Sequence, residues 1–201
     1  LVIVYVFNFK HFKTLQTSGV MGTSALFFVN VALSGLVVTT VAVRFLYPAV
    51  SLEGRAFWAV QVAPITTKQL LRAKVKWAFW PLLALSLVLT MASNYLVGLP
   101  LPMQAASILV ATMTTYGLTG MGVGMGAMEP RFKEDNPARI ASGVNGVLFM
   151  LLGLFYGLAQ MLLLLRPLEV LYMMWARGFE PKGSRVVVYL AYALGAVLLM
   201  L

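Results

Sequence analysis

Residues 77–128 read WAFWPLLALSLVLTMASNYLVGLPLPMQAASILVATMTTYGLTGMGVGMGAM, 52 residues from Trp77 to Met128 without one charged side chain or histidine. About 20 apolar residues cross a bilayer as a helix, so this stretch is too long for one crossing. Gly98-Leu99-Pro100-Leu101-Pro102 divides it, because proline lacks the N–H that a helix interior needs. Two membrane helices result, about 77–98 and 103–127, joined by a turn too short and apolar to be a domain. The fold class follows: an all-α integral membrane protein, a polytopic helical bundle.

Working outward, charge-free windows at 14–43, 140–165 and 186–201 predict further spans at about 20–43, 143–165 and 186–201. Leu1–Phe9 reads as the tail of another, about 1–8. The whole of 1–201 is then a single transmembrane domain with five or so full or partial spans. The chain starts at Leu1 and stops at Leu201, both within apolar runs, and reads as a fragment of a longer polytopic protein.

The composition agrees. Of 201 residues, 61% are hydrophobic and 10% charged, against about 25% charged in soluble domains. Mean hydropathy is +0.89. The net charge of +9 would suggest nucleic acid in a soluble protein. Here basic residues scattered between apolar blocks follow the positive-inside rule, so membrane lipid is the expected partner and nucleic acid is not. Cysteine is absent and His11 is the single histidine, which excludes disulfides, thiolate chemistry, iron–sulfur clusters and multi-histidine metal sites.

The loops alternate in charge. Segments 44–76 and 129–139 carry nine basic residues, against six at 10, 13, 166, 177, 182 and 185. The basic-rich side is assigned to the cytoplasm. Within 44–76, Leu52, Ala56, Phe57 and Val60 recur at helical spacing, and Pro64 ends that stretch. Thr66-Thr67-Lys68-Gln69 fits a capping box that starts a helix running into the span at Trp77. Lys68, Arg72 and Lys76 then lie on one helical face. That stripe suits anionic headgroups or a docking partner. Segment 166–184 reads as a short amphipathic helix in the outer interface, with Pro167 in its first turn and Gly178 at its end.

No Asp, Glu, Lys, Arg or His lies well inside a complete span. Ion-coupled transporters bury such residues to carry the ion or proton, so energy for uphill transport would enter from elsewhere, for example a partner ATPase. The spans hold uncharged polar residues instead. Asn30 and Ser34 share a face, and Thr90 and Asn94 lie in the next span. They serve helix packing or a polar translocation path. Gly117, Gly120, Gly122, Gly124 and Gly126 crowd one helix without the Gly-Lys-Ser/Thr of a nucleotide loop. Close helix packing explains them better. Ser142 and Ser184 have no plausible histidine partner, so no catalytic residue is assigned. Glu129, Glu134 and Asp135 sit among Arg131 and Lys133, which argues against a metal site. Asn136-Pro137 reads as a helix start.

Two segments carry a family resemblance. Pro48-Ala49-Val50-Ser51-Leu52-Glu53-Gly54-Arg55-Ala56-Phe57-Trp58, then Ala63-Pro64-Ile65 and Leu70-Leu71-Arg72-Ala73-Lys74, resembles bacterial ABC-2-type exporter permeases. So does Gly124-Met125-Gly126-Ala127-Met128-Glu129-Pro130-Arg131-Phe132 with Glu134-Asp135-Asn136-Pro137-Ala138-Arg139. The similarity is strongest over roughly 44–145. It implies a six-span transmembrane domain in the bacterial cytoplasmic membrane, with a cytoplasmic coupling segment at 49–75. It implies a separate cytoplasmic ABC ATPase, which would bring ATP and magnesium, this chain holding no cofactor. It implies a second transmembrane subunit, the same chain or a paralogue. Glu53, Arg55, Phe57, Trp58, Lys68 and Arg72 would lie at or near the ATPase contact. Arg131, Asn136, Pro137 and Arg139 would shape the second cytoplasmic loop. The reading is therefore a permease subunit without enzymatic activity of its own. A secondary transporter or channel, a membrane-embedded enzyme and a non-transporting scaffold are the rivals.

Overall fold

A computed structural model of the chain describes residues 20–134, 136–177, 191–192 and 194–195. The expected spans at 1–8 and, save four residues, at 186–201 lie outside the described residues. Helix α1 is Val20–Phe45. Two 3-10 segments follow, Tyr47–Ala49 and Ser51–Ala56, then the short α2, Phe57–Val62. Helix α3 is Thr67–Val97, α4 is Leu101–Met128, α5 is Pro137–Ala141 and α6 is Val144–Arg177.

Local chemistry sets the ends. The Thr66 hydroxyl accepts from the Gln69 N–H at 3.3 Å, and the Gln69 carboxamide accepts from the Thr66 N–H at 2.8 Å. This reciprocal cap satisfies two donors that would otherwise be orphaned. Helix α3 stops at Gly98, whose φ of 68° is left-handed and suits glycine. Its N–H donates back to the Asn94 carbonyl at 3.0 Å. Pro102 sits in the first turn of α4, where a missing N–H costs nothing. The Asn136 side chain accepts from the Ala138 N–H at 2.9 Å and starts α5, with Pro137 as its first residue.

Among the described residues, four segments are long and apolar enough to cross a membrane: Ala32–Gly54, Thr67–Leu96, Leu101–Met128 and Val144–Leu164. The chain is a multi-pass membrane protein. Helix α3 has 31 residues, about 46 Å at ~1.5 Å per residue, against a hydrocarbon core of about 30 Å. Its first turns therefore stand clear of the bilayer, and they carry Lys68, Arg72, Lys74 and Lys76. Trp77 and Tyr95 are both strongly exposed and lie about 27 Å apart along the helix. Aromatic residues of this kind mark the two interfaces.

Helices α1 and α4 form the inner pair. Each touches the other and both flanking helices, α3 and α6. The α3 and α6 windows are each 22% buried, against 56% and 39% for the other two, so the flanking helices turn most of their surface outward. Glycines allow the close approach. A Cβ at Gly126 would overlap the Tyr47 carbonyl oxygen, and one at Gly122 would press on the Phe149 ring at 3.0 Å. Gly120 and Gly124 face open space.

Two expectations are revised. Helix α6 runs unbroken through Arg166-Pro167 to Arg177, with Pro167 inside it, so 166–177 is no separate interfacial helix. Membrane helices tolerate proline because neighbouring groups re-satisfy the freed carbonyl. Residues 178–184 lie outside the described residues. Segment 52–60 is not one regular helix either. Gly54, at φ 50° and ψ −128°, breaks it into a 3-10 turn and α2.

Candidate functional site

The segment after α1 and the segment after α4 meet at one end of the bundle. Ser51 is 1% exposed, and its hydroxyl accepts from the Arg131 N–H at 3.0 Å, across 80 residues of sequence. The Phe57 ring stacks on Phe132 with centroids 4.5 Å apart. Gly54 turns the chain between these two contacts. A Cβ there would lie 3.7 Å from the Phe132 carbonyl oxygen, so the backbone angle, rather than crowding, selects glycine. Tyr47 stacks on Phe149 of α6, with centroids 6.2 Å apart. The first segment is thereby seated on α4, α6 and the second loop together.

Helix α3 closes the arrangement. The Lys74 ammonium ion-pairs with Glu53 and donates to the Ala49 carbonyl at 2.9 Å. The two side chains are 17% and 31% exposed. A pair this sheltered is screened less than a surface pair. Glu53 is thus engaged within the chain. The second loop is held by its own contacts. Asn145 donates to Glu129. Arg139 bridges to Glu134 at 3.2 Å on the surface. Asn136 caps α5, followed by Pro137. The Arg131 guanidinium lies over Gly143, where a Cβ would meet it at 3.0 Å.

The outward face is what remains. Trp58 is 65% exposed, and Lys68 and Arg72 are exposed beside Gln69. Phe57 is half-buried against Phe132. The Arg55 side chain lies outside the described residues. This face offers an aromatic anchor and cations on a base pinned to three long helices. Ser51 and Arg131 thus tie the segment before α2 to the loop after α4, and Glu53 and Lys74 tie it to α3. Among the described residues, no three His, Cys, Asp or Glu side chains gather as metal ligands would.

The candidate path residues are only partly brought together. Ser34 and Thr90 line one cavity of about 220 Å³ between the four long helices. Asn94 instead donates to the Ser107 hydroxyl at 2.6 Å, tying α3 to α4 near their turn. The Asn30 side chain lies outside the described residues. Sequence reasoning missed Thr114, which donates to the Gln160 carboxamide at 2.7 Å and ties α4 to α6. Thr112 and Thr115 draw the eye equally in sequence, and only the bundle geometry separates them. The Glu53–Lys74 pair was equally silent, because its partners are 21 residues apart on a folded-back segment.

A family model described as "Putative ATP-binding cassette" matches residues 1–201. No curated protein and no solved structure gives a significant match.

Proposed function

The chain belongs to this ATP-binding cassette family, and on that premise we propose that it is the membrane-spanning permease subunit of an ABC-2-type exporter. A separate cytoplasmic ATPase docks on α2 and the start of α3. It brings ATP and magnesium, and this chain contributes no catalysis of its own. A second transmembrane subunit completes the transporter.

One observation carries the reading. The exposed Trp58 and cation face rests on a base that is cross-linked to the bundle by Ser51–Arg131, Phe57–Phe132 and Glu53–Lys74. A lipid anchor would need no such bracing, whereas a lever that moves helices does. The lack of charged residues inside the complete spans supports an external energy source. The positive excess of segments 44–76 and 129–139 supports a cytoplasmic position for this end.

The test is gentle extraction from the native membrane, followed by identification of stoichiometric partners. A soluble ATPase that co-purifies, and whose turnover rises with this subunit, is the expected result. Its absence, under conditions that keep other such transporters whole, would move the channel and scaffold readings ahead.

A further inference from the structure

A second cavity lies at the loop end, between α1, α3 and the 3-10 segments that follow α1. It is a groove open at the surface. Helix α1 stops at Phe45, beside the first half of α3, and the side chains there include the small Ala49, Ala73 and Ala78. The space left measures about 800 Å³, within the ~300–1,000 Å³ typical of small-molecule sites. Leu46 and Leu82 in its wall are buried, whereas Phe45 and Trp77 are 68% and 82% exposed.

The two ends of the groove differ in chemistry. Along α3, Lys74 lies about 4.5 Å outside Trp77 and Leu82 about 7.5 Å inside it, at ~1.5 Å per residue. Trp77 stands at one membrane interface, so the groove runs from headgroup level into the hydrocarbon. Glu53 and Lys74 supply all the charge in its wall. Their side chains are 31% and 17% exposed, and both keep bonding capacity beyond their own ion pair. An ammonium has three N–H donors, of which Glu53 and the Ala49 carbonyl take two at Lys74. The pair uses one Glu53 carboxylate oxygen, and the other has no partner among the described residues.

We propose that this groove binds a phosphatidylethanolamine-type lipid from the adjoining leaflet. The headgroup ammonium donates to Glu53, and the headgroup phosphate accepts from Lys74. Four charges of alternating sign then close into a ring, and an acyl chain lies along the apolar wall. Because the charges of the wall sum to zero, its complement is a zwitterion rather than an anion. Lys68 and Arg72 do not alter that balance, since at 100° per residue they lie on the opposite side of α3 from Leu70, Lys74 and Trp77. A trimethylated ammonium carries no N–H, so phosphatidylcholine loses the bond to Glu53.

The test is native mass spectrometry of the full protein, released from nanodiscs that hold phosphatidylethanolamine and phosphatidylcholine of identical acyl chains in equal amounts. Phosphatidylethanolamine should be retained about fivefold over phosphatidylcholine, the effect of one hydrogen bond to a charged, partly exposed group. Glu53→Gln should remove that preference, and Lys68→Gln should keep it. Ala73→Leu fills the groove from an exposed helix position and should lower retention of both lipids. Equal retention by the parent protein, which needs no variant to fold, would overturn the proposal in favour of ordinary boundary lipid. Preference for phosphatidylglycerol over phosphatidylethanolamine would overturn it in favour of diffuse attraction to the positive end. Retention of no lipid would overturn it in favour of a groove covered by protein. The proposal rests on the membrane fold and not on the ATPase contact, so its failure would leave that reading standing.

Discussion

At the loop end of the bundle, polar side chains reach across the sequence. In the bundle interior they mostly turn back on their own helix. Ser51 accepts from Arg131, and Lys74 reaches both Ala49 and Glu53. By contrast, Thr39, Thr112, Thr115 and Thr119 all donate to the carbonyl four residues earlier on the same helix. A hydroxyl that bonds its own helix is satisfied without fixing that helix to a neighbour. The loop end is therefore braced by directional bonds, while the interior is held chiefly by small-residue packing, with Asn94–Ser107 and Thr114–Gln160 as cross-ties.

The sharpest way to break this contrast is Gly126→Val. The new side chain would overlap the Tyr47 backbone, which cannot rotate away, and overpacking of this kind costs about 3 kcal/mol. The expected outcome is a large fall in melting temperature and loss of the folded fraction on gel filtration. Gly124→Ala, two residues away and facing open space, should stay within ~0.5 kcal/mol of the parent.

Next in size is Lys74→Met, which leaves Glu53 sheltered and unpaired. A loss of about 1–2 kcal/mol is expected. A double-mutant cycle with Glu53→Gln should show coupling of about 1 kcal/mol by chemical denaturation. Additivity of the two substitutions would mean that the pair does not brace the loop end. Ser51→Ala removes the acceptor of the Arg131 N–H and should cost about 1 kcal/mol. Arg131 lies in the other loop, so hydrogen exchange at its amide should rise. The smallest effect is expected for Thr119→Val. Thr119 is fully buried, and its hydroxyl donates to the Thr115 carbonyl of its own helix, so the change should cost no more than about 0.6 kcal/mol. A larger loss there than at Ser51 would reverse the comparison.

What was legible in the sequence was local. The Thr66–Gln69 box, the Asn136-Pro137 start and the Gly98 stop each depend on a few consecutive residues, and each is found. The long apolar windows announced the membrane helices because bilayer thickness dictates length. Pro167 misled, because a rule learned from water-exposed helices overstates the cost of proline in a membrane bundle. Gly54 broke a plausible helical period through its backbone angle alone. The site was less legible than the fold. Trp58, Lys68 and Arg72 are exposed. The fixing of Glu53 by Lys74, and the choice of Thr114 to hold Gln160, are long-range facts that spacing cannot carry.

The central claim is that the braced loop end is where a cytoplasmic ATPase docks. The most direct test places a photo-crosslinking amino acid at position 58, and separately at position 101, in the protein in its native membrane. Trp58 and Leu101 are both exposed and lie at opposite ends of the bundle. The account predicts a crosslink to a soluble ATPase from position 58 and none from position 101. A crosslink from position 101, or lipid and no protein captured at position 58, would contradict it.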